Sequence, residues 1–179
     1  MLAHIEALDR ALLRFLHLGD APFWLVLLTV VVTFLGSGWM LLALVPALAN
    51  PKLRRPAAWL LGAVLGTSLL VWTVKEIVDR VRPCNALAWA SAVWVTPPTG
   101  PSFPSGHSAG SFAVAAFVFM VHRRWGLLAS LVAALVGLSR VALGVHYPSD
   151  VLAGAILGTA VGGLVGLRAM RSLRQPASS

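Results

Sequence analysis

Apolar runs at residues 23–49, 57–74, 108–121, 125–138 and 151–167 carry few or no charged side chains. A helix that crosses a membrane takes roughly 20 predominantly apolar residues, within about 17–25. The pattern therefore predicts five spans. The first is interrupted at Gly36-Ser37-Gly38, and neither half is long enough to cross alone, so it reads as one kinked span. The third reaches full length only if the preceding Pro-Ser-Gly-His segment opens the helix. The fifth carries Gly154, Gly158, Gly162 and Gly166 at i, i+4 spacing, a ridge that lets a neighbouring helix approach closely.

Residues 1–20 follow a different pattern. His4, Glu6, Asp9, Arg10, Arg14, His17 and Asp20 interrupt the segment too often for a span. Ile5, Leu8, Leu12, Leu13, Phe15 and Leu16 predict an amphipathic helix lying in the membrane interface. There is no basic start followed by a long apolar centre and a small-residue cleavage site, so this is not a typical signal peptide. The expected fold is all-α: a polytopic helical bundle of about five spans plus an N-terminal interfacial helix, forming one domain over residues 1–179.

Composition agrees with that picture. Hydrophobic residues make up 58% of the chain and charged ones 11%, whereas soluble domains carry about 25% charged residues. The lone cysteine, Cys84, has no internal partner for a disulfide or a zinc cluster and reads as a packing or incidental loop residue.

The net charge of +8 would suggest nucleic acid if it were clustered at random. With five spans, however, one side receives Lys52, Arg54, Arg55, Arg123, Arg124, Arg168, Arg171 and Arg174 and no acid. The other receives all six acids and the remaining six basic residues. The excess of Lys and Arg in cytoplasmic loops then places residues 168–179 in the cytoplasm as a tail and the N-terminus outside. The charge becomes a topology signal, and no nucleic-acid partner is expected.

Three segments gather on the predicted outer side. Lys75 and Arg82-Pro83 lie in the first, Pro104-Ser105-Gly106-His107 forms the second, and Ser139-Arg140 with His146 and Asp150 the third. Ionisable residues near membrane depth are costly and usually functional. Cations and helix starts together make an anion site, and two histidines with a carboxylate supply nucleophile, acid and orienter. Arg80 reads instead as a residue snorkelling to lipid headgroups, with Glu76 at i−4 placed to pair with it on a helix. No cluster of His, Asp or Glu has metal-ligand spacing beyond the His146–Asp150 pair, and three nearby cations argue against a divalent metal there. No metal and no cofactor is expected.

These segments resemble the signature of the type 2 phosphatidic acid phosphatase family, which also includes soluble acid phosphatases and vanadium haloperoxidases. The signature is Lys-x6-Arg-Pro, then Pro-Ser-Gly-His, then Ser-Arg-x5-His-x3-Asp, and residues 75–150 match it at each position. The resemblance implies that His146 is the nucleophile that becomes a phosphohistidine. It implies that His107 is the general acid and later the base, and that Asp150 orients His146. Lys75, Arg82, Arg140, Ser105 and Gly106 would bind the phosphate. Ser139 would support Arg140 or donate to phosphate. The loop after Cys84, with Trp89, Trp94, Pro97, Pro98 and Pro101, would be an interfacial anchor or a lip admitting the lipid.

The implied activity is metal-independent hydrolysis of a lipid phosphate or diphosphate, undecaprenyl diphosphate or a phospholipid phosphate, at the outer face of a bacterial inner membrane. Its partners would be that substrate and membrane lipids. A lipid phosphotransferase using the same phosphohistidine is an alternative, as is a non-enzymatic membrane protein or transporter.

Overall fold

The computed structural model describes residues 2–92, 95, 96 and 98–174; of the loop residues named above, Trp94 and Pro97 lie outside them. Among the described residues there are eight α-helices: α1 (Leu2–Leu16), α2 (Phe23–Leu35), α3 (Val45–Ala49), α4 (Arg54–Val78), α5 (Pro83–Ala86), α6 (Gly106–Val121), α7 (Arg123–Ala142) and α8 (Pro148–Arg174). A 3-10 segment, Gly38–Leu44, joins α2 to α3, so the first predicted span is broken at Gly36-Ser37-Gly38. Helices within residues 54–86, 123–142 and 148–173 are long and apolar enough to cross a membrane, and α2 and α6 are shorter apolar helices. α6 has 16 residues, about 24 Å of rise. It does start at the Pro-Ser-Gly-His segment, with Ser105 as its N-cap accepting from Ser108 N–H at 3.5 Å.

α6 packs chiefly against α8 and α7. The glycine ridge explains the first contact. A methyl group built at Gly154, Gly158 or Gly162 would overlap the backbone of Ser105, Ala109 or Ala113 on α6, so the two helices meet almost backbone to backbone. The buried side chains are mostly small, with Ala63, Ala109, Ala113 and Ala169 fully covered. Large apolar residues point outward instead: Leu65, Leu69 and Trp72 on α4, Leu127, Leu131 and Leu138 on α7, Leu152, Ile156 and Leu164 on α8. An exposed apolar surface of this extent suits lipid and not water.

The connectivity puts the C-terminal ends of α4 and α7 beside the N-terminal ends of α6 and α8. Arg54, Arg123 and Arg124 therefore lie at the opposite end of the bundle from the motifs. α8 continues helically to Arg174, through Arg168 and Arg171.

α1 is amphipathic with two working faces. Ile5, Leu8, Leu12 and Phe15 are exposed, while Leu13 packs in a core with Ala90, Val141 and Tyr147. Beyond its end, Leu18 N–H donates to Ala142 O at 2.9 Å and His17 Nδ1 lies 3.2 Å from the same oxygen. This ties α1 to the last turn of α7. Trp89 packs on Arg14 and His17, so this tryptophan anchors α1.

Candidate active site

Each motif reaches the site from a helix end. α4 stops at Val78 because Asp79 takes a left-handed conformation, φ 41°, which Asp adopts more readily than most residues. The chain then runs extended to Pro83, which opens α5 and suits a first helical position. Arg82, on this extended stretch, is buried. Its Nε donates to Gly100 O at 3.0 Å, Nη2 to Pro101 O at 3.0 Å, and Nη1 to Val145 O at 3.0 Å and to His146 Nε2 at 3.1 Å. Lys75 Nζ donates to the same Pro101 carbonyl. Two cations of the first motif thus converge on one oxygen.

After α7 the chain turns sharply. Val145 and His146 N–H groups reach back to Arg140 O at 3.2 and 3.3 Å. Gly144 makes the turn possible: its φ is +73°, and a side chain there would also meet Ser91 O and His17. Arg140 is buried and donates through Nη1 to Thr33 Oγ1 at 2.8 Å. His146 is 3% exposed. Its Nδ1 faces Asp150 Oδ2 at 3.4 Å. That is an ion-pair distance but long for a hydrogen bond, and Nδ1 makes no hydrogen bond in this geometry. Burial depresses the His146 pKa to about 4; Asp150 opposes the shift and Arg82 reinforces it. The imidazole is therefore neutral at pH 7, with an Nε2 lone pair that Arg82 holds by donation.

Asp150 is fully buried and its Oδ2 accepts from Tyr147 N–H at 2.9 Å. Ser105 N–H donates to Asp150 O at 3.0 Å and Ser108 Oγ to Val151 O at 2.8 Å, which joins the second motif to the third. His107, half-buried, faces a cavity of about 240 Å³ with Lys75 and Gly106. A second cavity of about 520 Å³, lined mainly by apolar residues such as Leu41, Leu60, Val64 and Leu128, shares Gly36, Ser68, Gly106 and Gly110 with it. The two adjoin along this shared wall.

The sequence of residues 56–172 matches the family model described as "PAP2 superfamily". The chain belongs to this superfamily. It is 41% identical over 132 residues to decaprenylphosphoryl-5-phosphoribose phosphatase of Mycobacterium tuberculosis, covering 72% of this chain and 70% of the relative. It is 33% identical over 170 residues to phosphatidylglycerophosphatase B of Bacillus subtilis, covering 86% and 79%. The crystal structure of the transmembrane PAP2-type phosphatidylglycerolphosphate phosphatase from Bacillus subtilis superposes with a TM-score of 0.78 at 27% identity, covering 97% of this chain and 89% of that one.

As a member of the PAP2 superfamily, the protein is a multi-pass membrane phosphatase, a phosphoric monoester hydrolase with lipid phosphatases among its relatives. The resemblance drawn from residues 75–150 is shown by this match. One local reading needs correction. Arg80 does not pair with Glu76: α4 has already ended at Val78, so helical i−4 geometry is lost. Arg80 bonds instead to Asp150 at 2.6 Å and Asp9 at 2.8 Å. Ser139 Oγ donates to Val136 O at 2.6 Å on its own helix. Asp9, Arg80, Thr33 and Tyr147 are site-shell residues that the motifs do not contain. Asp9 gave one signal: it is the acid at i−4 from Leu13, the residue of α1 that the core covers. Among the described residues no group of three or more His, Cys, Asp or Glu is placed to hold a metal ion.

Proposed function

We propose that the protein hydrolyses a phosphate monoester carried by a long-chain membrane lipid, through a phosphohistidine at His146. The observation that carries this reading is that the pocket lined by Lys75, Gly106 and His107 shares its wall at Gly36, Ser68 and Gly110 with a larger, largely apolar pocket. The phosphate would sit among Lys75, Arg82, Arg140 and the N–H groups at the start of α6, with the lipid chain in the cavity. The 41% identical relative is named for a decaprenyl-linked sugar phosphate, which favours a polyprenyl-linked substrate over undecaprenyl diphosphate itself.

The chemistry follows from the groups present. A neutral imidazole is nucleophilic where a serine would need activation. His146 Nε2 attacks phosphorus as the bond to the lipid oxygen breaks; His107, which takes up a proton from solvent when the anionic phosphate binds beside it, gives that proton to the leaving oxygen. Asp150 stabilises the positive charge that develops on the ring through Nδ1–H. His107 then takes a proton from water, which attacks phosphorus and releases inorganic phosphate with His146 restored. The cations hold charge on the phosphoryl oxygens throughout, the main contribution a protein makes to phosphoryl transfer. The Lys and Arg asymmetry along the sequence supports an outward-facing site in a bacterial inner membrane.

The test is a panel assay in vesicles with a strong chelator present: decaprenylphosphoryl 5-phosphoribose, phosphatidylglycerophosphate, undecaprenyl diphosphate and soluble p-nitrophenyl phosphate. Preferred release of free phosphate from a polyprenyl monoester is expected. Equal turnover of the soluble ester would remove the lipid reading. Phosphate passed to another lipid without release would make the protein a phosphotransferase.

A further inference from the structure

The interfacial helix reaches the carboxylate behind the nucleophile. Asp9 is 3% exposed although α1 turns Ile5, Leu8, Leu12 and Phe15 outward. Its Oδ1 accepts from Ser149 N–H at 2.9 Å, in the first turn of α8, and its Oδ2 accepts from Ser149 Oγ and from Arg80 Nη2 at 2.8 Å. Arg80 Nη1 donates to Ser149 Oγ at 2.7 Å and to Asp150 Oδ1 at 2.6 Å. The guanidinium carbon lies 4.0 Å from the Tyr147 ring centroid, a cation–π contact. One arginine therefore bridges two buried carboxylates.

This bridge divides the two oxygens of Asp150. Arg80 takes Oδ1, and Oδ2 is left to Tyr147 N–H and to the face of His146 Nδ1. Arginine and carboxylate prefer a two-point fork when nothing else competes. Asp9 competes for Nη2, so Arg80 can give Asp150 only one nitrogen. Without Asp9, both nitrogens can close on Asp150 and draw Oδ2 away from the imidazole.

We propose that Asp9 and Arg80 are positioning residues for phosphoryl transfer: the buried acid of the interfacial helix restrains Arg80, and Arg80 fixes which oxygen Asp150 turns toward His146 Nδ1. The inference rests on the reading of His146 as nucleophile. It makes α1, whose outer face is built for the membrane interface, a part of the catalytic frame.

Asp9→Asn, Arg80→Gln, Arg80→Lys and the Asp9→Asn/Arg80→Gln double variant are compared in vesicles, with Glu6→Gln, exposed on the same helix, as control. Turnover, trapped phosphohistidine and the His146 titration are measured for each, and tryptophan fluorescence on heating reports folding. The charged and titratable groups that face His146 from the surrounding elements are Arg82, Arg140, Asp150 and His107, and all are unchanged in these variants. A small misplacement at a reacting group costs on the order of 10²-fold. Asp9→Asn should lose about that in kcat with KM within about twofold, the pattern of a group felt mainly in the transition state. The double variant should lose no more than the worse single, because both act through one contact. Asp9→Asn concentrates positive charge on Asp150 and should lower the His146 titration; Arg80→Gln removes that charge and should raise it. A loss of fold would raise the titration in both variants, so shifts in opposite directions do not come from unfolding.

Arg80→Lys keeps the charge but cannot bridge both carboxylates as a fork, so it should lose kcat even if Asp9→Asn does not fold. Full activity in Arg80→Lys, additive losses in the double variant, or titrations moving the same way would overturn the proposal. Wild-type protein that traps no phosphohistidine would instead overturn the nucleophile reading on which it rests.

Discussion

Lowering the pH should charge His146 far later than an ordinary histidine. The imidazole is 3% exposed and makes no hydrogen bond through Nδ1, while Arg82 donates to Nε2. Burial, with help from Arg82 and against Asp150, brings its pKa from 6.5 to about 4. At about 1.4 kcal/mol per pH unit the difference amounts to roughly 3 kcal/mol. Two consequences follow. At pH 5.5 an imidazole titrating at 6.5 would be roughly nine-tenths protonated, whereas His146 stays almost wholly neutral and nucleophilic. The unfolded chain also binds a proton at this residue near pH 6.5 while the fold resists until about 4. Stability from this group is thus complete above pH 6.5 and falls by roughly 3 kcal/mol as the pH drops from there to about 4.

The assay is a pH titration of ¹⁵N-histidine-labelled protein by NMR, with His146→Gln to assign its signal among the five histidines. The His146 signal should titrate near pH 4. It should move lower still in Asp150→Asn, which removes the carboxylate, and higher in Arg82→Gln, which removes the cation. A wild-type midpoint between 6 and 7, or Asp150→Asn moving it upward, would refute the reasoning.

The glycine ridge gives a stability prediction: Gly158→Leu forces a side chain onto the Ala109 backbone and should cost at least the 1–3 kcal/mol typical of overpacking, about. Gly163→Ala, with open space around it, should stay within about 0.5 kcal/mol; thermal unfolding in detergent compares them. His107→Ala should slow phosphoryl transfer from a lipid monophosphate by about 10²–10⁴-fold and from a diphosphate by less, since the latter's leaving group needs less protonation; rapid-quench measurement of the first transfer reads both. In a Cys84→Ser background, Arg54→Cys and Arg124→Cys should be shielded from an impermeant thiol reagent in intact cells, while Asn85→Cys should be labelled; labelling at position 124 would reverse the orientation.

Much of this was legible along the chain because the bilayer demands long apolar helices, and because the motifs fall at helix ends where spacing alone brings them to one side. The break at Gly36-Ser37-Gly38 and the start of α6 at Gly106 followed from glycine, serine and proline. The Arg80 network was not legible. Reading Arg80 as the partner of Glu76 assumed that the helix continued, and a single left-handed residue, Asp79, ends it first. Nor could spacing show that Asp9, some 70 residues before Arg80 and 140 before Ser149, would reach the site. Packing of α1 on α7 and α8 decides that, and an amphipathic pattern does not say which polar residue turns inward. Thr33 and Arg140 meet for the same reason, across α2 and α7.

The central claim is that His146 carries the phosphoryl group, and trapping the covalent enzyme tests it most directly. Vesicle-bound protein is mixed with a ³²P-labelled lipid phosphate, quenched within milliseconds in alkali, where phosphohistidine survives and acyl phosphates do not, and mapped by peptide. Label on the peptide containing His146, absent in His146→Gln and still formed in wild type with a chelator present, is the predicted result. Label on another residue, or turnover by His146→Gln at the wild-type rate, would contradict the account.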